Sequence, residues 1–531
     1  MTDTFDFVVV GAGSGGCAVA GRLSEDAQTS VALMDAGGPC NNWVVTTPGA
    51  LILMVAGTVN NWAFNTVPQK GLNGRIGYQP RGKGLGGSSA INAMVYIRGN
   101  RWDYDHWASL GNTGWSFADV LPYFKRSEDN ADFGGEYHGK GGPLAVNKLR
   151  SGNPIQQTFL QAAQEAQFRI REDFNAEDHE GLGIYQVTQK NGERWSAARA
   201  YVHPHMNKRA NLRVETQAHA TRILFDGKRA IGVEYRQGKE LKQLRARREV
   251  ILAAGAFQSP HLLMLSGVGD AAALRTHGIA NVHHLPGVGQ NLQDHPDFIF
   301  GYMSDNPNFA GLSLKGMPRL IRAILQYRKE RRGPLTSNFA ECGGFLKTRP
   351  DLDIPDIQLH FGMAMVEDHG RKRHGPGFSC HVCLLRPKSR GSVALANNDP
   401  MRAPLIDPNF LGEESDLEAM VAGYKTTQRL MQTPSLRSLQ TRDMFTADVK
   451  TDDDIRRILR ARVDTVYHPV GTCKMGNDAT AVVDPKLRVH GIEGLRIADA
   501  SIMPTLIGGN TNAPTIMIGE KAADMIKAEI H

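Results

Sequence analysis

A mixed α/β fold, α+β overall, is predicted: a Rossmann-like nucleotide-binding lobe joined to a second lobe built on an antiparallel sheet with flanking helices. Three observations predict it. The N-terminus runs strand, glycine loop, helix, strand, acid. Residues 357–363, 378–385 and 391–395 are short apolar runs with the pattern of antiparallel strands. A buried strand at 495–498 and a helix running to residue 530 close the chain, so it starts in one lobe, leaves it, and returns to finish there. At 531 residues the chain exceeds an ordinary single domain. Its 41% hydrophobic and 22% charged residues are the balance of a soluble globular protein with a large core.

Residues 5–10 are a continuous apolar, β-branched run, the pattern of a strand buried on both faces of a parallel sheet. Gly11-Ala12-Gly13-Ser14-Gly15-Gly16 follows at once, and residues 18–23 have helical spacing. In this G-x-G-x-x-G, Gly11, Gly13 and Gly16 permit a tight turn and bring backbone N–H groups of the loop and Ser14 to a pyrophosphate at a helix N-terminus. The strand 31–34 ends in Asp35, 19 residues after Gly16, where an acid can accept both hydroxyls of a ribose. Strand, helix and acid in register make the motif specific for a dinucleotide without separating NAD from FAD. Gly82-Lys83-Gly84-Leu85-Gly86-Gly87-Ser88-Ser89-Ala90-Ile91-Asn92 separates them. NAD folds need one phosphate loop; a second implies a longer cofactor, touched at its pyrophosphate and again near its redox ring. Taken alone, the second loop is equally a helix N-cap run.

Composition narrows the classes. The 57 glycines fall inside apolar segments, which suits tight turns and close backbone approaches to a ligand. Net charge is +7, but acids nearly match bases and no basic tract is interleaved with aromatics, so nucleic acid is not an expected partner. Six cysteines are too few for a disulfide framework, which points to a reducing compartment. Cys380-His381-Val382-Cys383 has CxxC spacing without a second ligand pair, so no metal site is expected. No signal sequence or membrane-spanning run is seen, and a cytoplasmic protein, or one peripheral on the inner face of the cell membrane, is expected.

The motifs together resemble the glucose-methanol-choline (GMC) family of FAD oxidoreductases over nearly the whole chain. They are the N-terminal loop; the 82–92 loop with Met94-Val95-Tyr96-Ile97-Arg98-Gly99; Gly255-Ala256-Phe257-Gln258-Ser259-Pro260 with Ser266-Gly267-Val268-Gly269; and Tyr467-His468-Pro469-Val470-Gly471-Thr472-Cys473-Lys474-Met475-Gly476. Asn60-Asn61-Trp62 and Asn73-Gly74-Arg75 look like the bacterial choline and aliphatic-alcohol dehydrogenase branch. The resemblance implies FAD-binding segments at 1–155, 196–300 and 461–531, the last holding the catalytic residues, and substrate-binding segments at 156–195 and 301–460. It implies FAD contacts, beyond the first loop and Asp35, at Ala36, Arg81, Gly86, Gly87, Ser88, Asn92, Ala93, Met94, Val95, Ala220, Ala254, Asp499, Ala500, Thr511 and Thr515. It implies non-covalent FAD, because Ala90 stands where some family oxidases carry the histidine that attaches it.

The resemblance further implies an FAD-dependent alcohol dehydrogenase. Hydride passes from a primary alcohol to flavin N5, His468 is the general base, and Asn512 stabilises the alkoxide. Electrons leave to a quinone, a carrier protein or another acceptor. An imidazole suits this work because it titrates near working pH; Asn512 reads equally as an N-cap of the last helix. A choline dehydrogenase, an H2O2-forming alcohol oxidase and a flavin-containing lyase stay open as alternatives, as do linear alkanols, choline and polyether alcohols as substrates. Glu341 matches a family position facing the substrate and reads equally as a paired structural acid. His295 lies in a family-typical turn and is read as structural. Residues 102–130 are expected to be helical and to pack beside the cofactor. Residues 314–332 form an amphipathic helix with an apolar stripe (Leu320, Ile321, Ile324, Leu325, Tyr327) and a cationic side (Lys315, Arg319, Arg322, Arg328, Lys329, Arg331, Arg332). It reads either as a surface helix of the second lobe or as a reversible dock on anionic lipid.

Overall fold

A computed structural model describes residues 3–311 and 317–530. The strand Asp3–Val10 is the first element, and its apolar half from Phe7 to Val10 is fully buried. It pairs in parallel with Val31–Met34 on one side and Glu240–Leu252 on the other. Leu212–Glu215 continues the sheet in parallel beyond Val31–Met34. The free edge of the long strand Glu240–Leu252 is shared. Its first half pairs antiparallel with Arg229–Gln237, which pairs with Ala218–Asp226. Its end, Val250 to Leu252, takes Leu495–Ile497 in parallel. The last strand of the chain thus enters the sheet that the first strand began.

The helix Ser14–Leu23 lies against the final helix Asn512–Ile530. A Cβ at Gly519 would fall 2.4 Å from the Gly15 carbonyl oxygen and 2.9 Å from Ala18 Cβ, so glycine there sets the helix separation. Buried Glu520 fastens the pair by accepting from Arg22 at 2.9 Å, Arg126 at 2.8 Å and the Tyr201 hydroxyl at 2.6 Å.

The second lobe is an antiparallel sheet in the order Ala340–Leu346, Ile357–Gly362, Gly377–Leu384, Pro296–Met303, Arg442–Asp443, with Asp464–Thr465 pairing beside Pro296. The helix Glu414–Met431 covers one face and contributes Leu417, Met420, Val421 and Tyr424 to an apolar core. Cys380 and Cys383 are buried three residues apart on one strand, so their side chains leave opposite faces of the sheet.

Two expectations change here. Residues 102–130 are helical as expected, in Arg101–Ser109 and Phe117–Ser127. They do not flank the nucleotide site: Phe117–Ser127 packs on the outer side, against Asn512–Ile530, because Arg126 pairs with Glu520 and Asp524 there. The amphipathic element is the helix Met317–Glu330; Leu314 and Lys315 lie outside the described residues. Along it Ala323 and Tyr327 are buried, while Leu320, Ile321, Ile324 and Leu325 are 40–61% exposed. Among the described residues, no helix is long and apolar enough to cross a membrane.

Candidate active site

A cavity of about 1560 Å³ lies between the two sheets. That exceeds the ~300–1,000 Å³ of a site for one small ligand and leaves room for a dinucleotide and a second molecule. One end is the nucleotide lobe. Gly11 has φ +99, and a Cβ there would sit 2.5 Å from the Ala253 carbonyl oxygen, so only glycine lets the loop turn against that strand. Gly13 precedes the helix with no side chain capping it, which leaves first-turn N–H groups for an anion. Asp35 is held at the strand end by the Ala12 N–H at 3.0 Å and the Gly37 N–H at 2.9 Å. Burial pushes its carboxyl up, although those N–H bonds pull the other way.

The second glycine loop sits against the first rather than at the far end of the cavity. The Gly86 N–H donates to the Ala12 carbonyl at 2.7 Å. A Cβ at Gly87 (φ +51) would fall 2.7 Å from Gly13 Cα. Ser88 accepts from the Gly82 N–H at 3.1 Å, so it braces the loop rather than capping a helix. Asn92, Ala93, Met94 and Val95 then carry the wall onward. Buried Arg194, which sequence reasoning missed, donates to the Asn92 carbonyl at 2.6 Å and the Ser89 carbonyl at 3.2 Å and holds this turn.

Of the expected FAD contacts, all but Gly16 and Gly86 line the cavity. A Cβ at Gly16 would strike the Gly11 carbonyl oxygen, so Gly16 closes the loop from behind. Gly86 does the same for the second loop through its bond to Ala12. Ala90 packs with Cys40, Val45, Met54 and Ile91. The neighbouring side chain that reaches the cavity is Ile91.

His468 is set by three contacts that tie distant segments together. Gln293 and Val470 form an antiparallel bridge. The His468 N–H donates to Asp294 Oδ1 at 2.8 Å, and the Arg81 guanidinium donates to the Tyr467 carbonyl at 2.7 Å. Tyr467 holds φ +76, uncommon for a bulky residue, which turns the next side chain into the cavity. Asp294 is fully enclosed, and burial pushes it up to about 6, against the pull of Thr465 and Arg81.

The hydrogen bonds around His468 form one directed chain. Gln358 Nε2 donates to Asn510 Oδ1 at 3.0 Å. Asn510 Nδ2 lies 3.2 Å from His468 Nε2, His468 Nδ1 lies 3.0 Å from His295 Nδ1, and His295 Nε2 lies 3.0 and 3.1 Å from the Leu385 and Ile507 carbonyls. Carbonyls only accept, so His295 carries its proton on Nε2 and accepts on Nδ1. His468 therefore carries its proton on Nδ1 and offers the Nε2 lone pair, which agrees with the amide donor opposite it. His295 is thus not a bystander in a turn: it sets the tautomer of His468. Burial first, then the repulsion of His295, His360 and Arg81, holds His468 well below the ordinary imidazole range. Burial pushes His295 and His360 down to about 3, so all three rings are neutral near pH 7.

Asn512 lines the cavity, but its amide is not the one on His468. Its Oδ1 accepts from Ser14 at 2.7 Å, and its Nδ2 has no acceptor among the described residues; the amide in contact with His468 belongs to Asn510. Glu341 is buried and faces the cavity. Its Oε2 accepts from Gln156 at 2.7 Å and Ser151 at 2.9 Å, while Oε1 makes no hydrogen bond among the described residues. Burial raises this carboxyl, against the pull of the neighbouring Ser337, Gln156 and Ser151. The rest of the wall is largely apolar, with Leu51, Ile52, Leu335, Met363 and Met365 among its residues.

A parallel sheet with paired glycine loops, an acid at the ribose position and a neutral imidazole across the cavity define a dinucleotide-dependent redox enzyme of two lobes. The residues fit FAD: both loops lack side chains where a pyrophosphate would lie, and the wall continues past them to His468. The sequence matches the GMC oxidoreductase family models over residues 5–297 and 387–519. It is 46% identical to the alcohol dehydrogenase [acceptor] of Pseudomonas putida over 99% of this chain and 96% of that one. It is 41% identical to the mitochondrial choline dehydrogenase of Homo sapiens over 99% and 90%. The fold superposes on pyridoxine 4-oxidase from Mesorbium loti with TM-score 0.89 at 28% identity, covering 99% of each chain. The chain belongs to the GMC oxidoreductase family, whose cofactor is FAD.

Proposed function

We propose that this protein is an FAD-dependent alcohol dehydrogenase, oxidising a primary alcohol to an aldehyde and passing electrons to a quinone or another acceptor that is not O2. The observation that carries this is the directed hydrogen-bond chain that presents the Nε2 lone pair of neutral His468 to the cavity. FAD, bound non-covalently along the glycine loops, supplies the hydride acceptor. The substrate hydroxyl displaces Asn510 from His468 Nε2 and gives up its proton there. The resulting imidazolium keeps its Nδ1–H bond to His295. The free Nδ2 of Asn512, braced by Ser14, donates to the developing alkoxide, as an oxyanion donor must. The remaining expected contacts, from Asp35 and Ala36 through Arg81 to Asp499, Ala500, Thr511 and Thr515, hold the cofactor along the wall they share.

The similarity to an acceptor-type alcohol dehydrogenase supports the acceptor, and the apolar wall supports an uncharged alcohol. The exposed stripe on Met317–Glu330 supports peripheral contact with a membrane, which we place on its cytoplasmic face. Choline is a second substrate reading, favoured by the unpartnered Oε1 of buried Glu341 and by the relatives named as choline dehydrogenases. Arg319, Arg322 and Arg373, which line the same cavity, disfavour a cation. Anaerobic flavin bleaching by a linear alkanol, choline and a polyether alcohol, followed by admission of air, tests both. Bleaching by the alkanol with slow reoxidation is expected. No bleaching by any alcohol refutes the redox function; fast reoxidation with H2O2 refutes the dehydrogenase.

A further inference from the structure

The helix Met317–Glu330 is at once a wall of the catalytic cavity and part of the outer surface. Ala323 and Tyr327 face inward, and Leu320, 42% exposed, lines the mouth with Leu53, 48% exposed. Ile321, Ile324 and Leu325 stand outside the mouth on the same stripe, exposed to solvent. Four exposed large aliphatic side chains on one helix face have no partner among the described residues, an unusual arrangement for a helix packed on a globular core. The charges beside them are also unanswered. Arg319, Arg322, Arg332 and Arg373 line the cavity at this end, and Arg328 and Lys329 extend the basic side along the helix; all six are exposed, and none has an acidic partner among the described residues.

We propose that this face rests on an anionic phospholipid surface and that the cavity opens into the lipid there, so that a long-chain alcohol dissolved in the bilayer enters the site without crossing water. The substrate class rests on the alcohol dehydrogenase function proposed above. An apolar stripe rimmed by cations suits the boundary between acyl chains and acidic headgroups: the aliphatic side chains enter the interface while the arginines reach the phosphates. The mouth, bordered by Leu53 and Leu320, then faces the acyl region.

Sedimentation with phosphatidylcholine vesicles, with and without phosphatidylglycerol, tests the docking. Binding only to the anionic vesicles is expected. Arg328→Gln/Lys329→Gln removes two charges that do not line the cavity and weakens that binding about thirtyfold, about fivefold for each charge. Ile321→Asp/Leu325→Asp, also outside the cavity, abolishes it. Both variants keep wild-type flavin content and bleach normally with a short water-soluble alcohol, but bleach slowly with a long-chain alcohol supplied in anionic vesicles. Failure to bind anionic vesicles, or full binding by both variants, overturns the docking. A change from dimer to monomer in the variants without vesicles assigns the face to a second copy instead and also overturns it. Normal bleaching of docked and undocked protein by the vesicle-borne alcohol overturns entry through lipid. If no alcohol bleaches even the wild type, the alcohol dehydrogenase function fails while the vesicle result stands by itself.

Discussion

Replacing His295 with leucine removes the acceptor that orients His468 while nearly conserving volume. The ring of His295 is fully buried and receives the His468 Nδ1 proton at 3.0 Å. Without it that N–H is left unpaired in a buried site, a cost of about 1–3 kcal/mol. The proton is then better placed on Nε2, where it blocks the lone pair that must receive the substrate proton. General-base catalysis contributes about 10²–10⁴-fold, so His295→Leu is expected to slow flavin reduction by that factor, about 2.7–5.4 kcal/mol at 1.36 kcal/mol per tenfold. Stopped-flow anaerobic reduction at saturating alcohol measures it, with the flavin-to-protein ratio as the control for folding. His295→Gln restores an oxygen acceptor and is expected to recover part of the rate, which a purely structural role would not predict. Wild-type reduction by His295→Leu would refute the tautomer assignment.

Three further outcomes are expected. Asn512→Ala lowers flavin reduction about tenfold to a thousandfold by removing one oxyanion donor, with FAD retained, whereas Asn510→Ala frees Nε2 and has the smaller effect; equal rates for Asn512→Ala and wild type would remove Asn512 from the chemistry. Gly87→Ala places a Cβ 2.7 Å from Gly13 Cα at φ +51, so the two loops separate and the purified protein carries little flavin, read from its visible absorbance. Burial depresses His179, His261, His295 and His360 to between about 3 and 4, so each folded ring binds fewer protons than its unfolded form. The stability they contribute is present above about 6.5 and falls below it by about 1.4 kcal/mol per pH unit for each ring. Proton uptake by Asp294 near pH 6 offsets part of this, and a thermal melt that drops steeply between pH 7 and 5.5 is expected.

The nucleotide lobe was legible because its signal is local. Gly11 to Gly16 sit between a strand and a helix that the apolar pattern marks by itself, and Asp35 ends the next strand. What escaped was long-range. The bond between His295 and His468 spans 173 positions, and nothing near His295 distinguishes it from a turn residue. Asn510 and Asn512 are two positions apart in a glycine-rich turn, and only the fold tells which amide touches the imidazole and which touches Ser14. Arg194 supports the second loop from more than a hundred positions away. The helix Met317–Glu330 shows the limit of periodicity: the stripe was visible, but its pattern does not say that Ala323 and Tyr327 are buried while Leu320, Ile321, Ile324 and Leu325 stay exposed.

His468→Ala deletes the buried imidazole that turns its Nε2 toward the cavity, and it leaves both glycine loops untouched. Anaerobic stopped-flow reduction of its flavin by a primary alcohol is the most direct measurement. The variant is expected to retain full FAD and to be reduced several orders of magnitude more slowly than wild type, within the range general-base loss sets. Reduction at the wild-type rate, with FAD bound, would contradict the role given to His468.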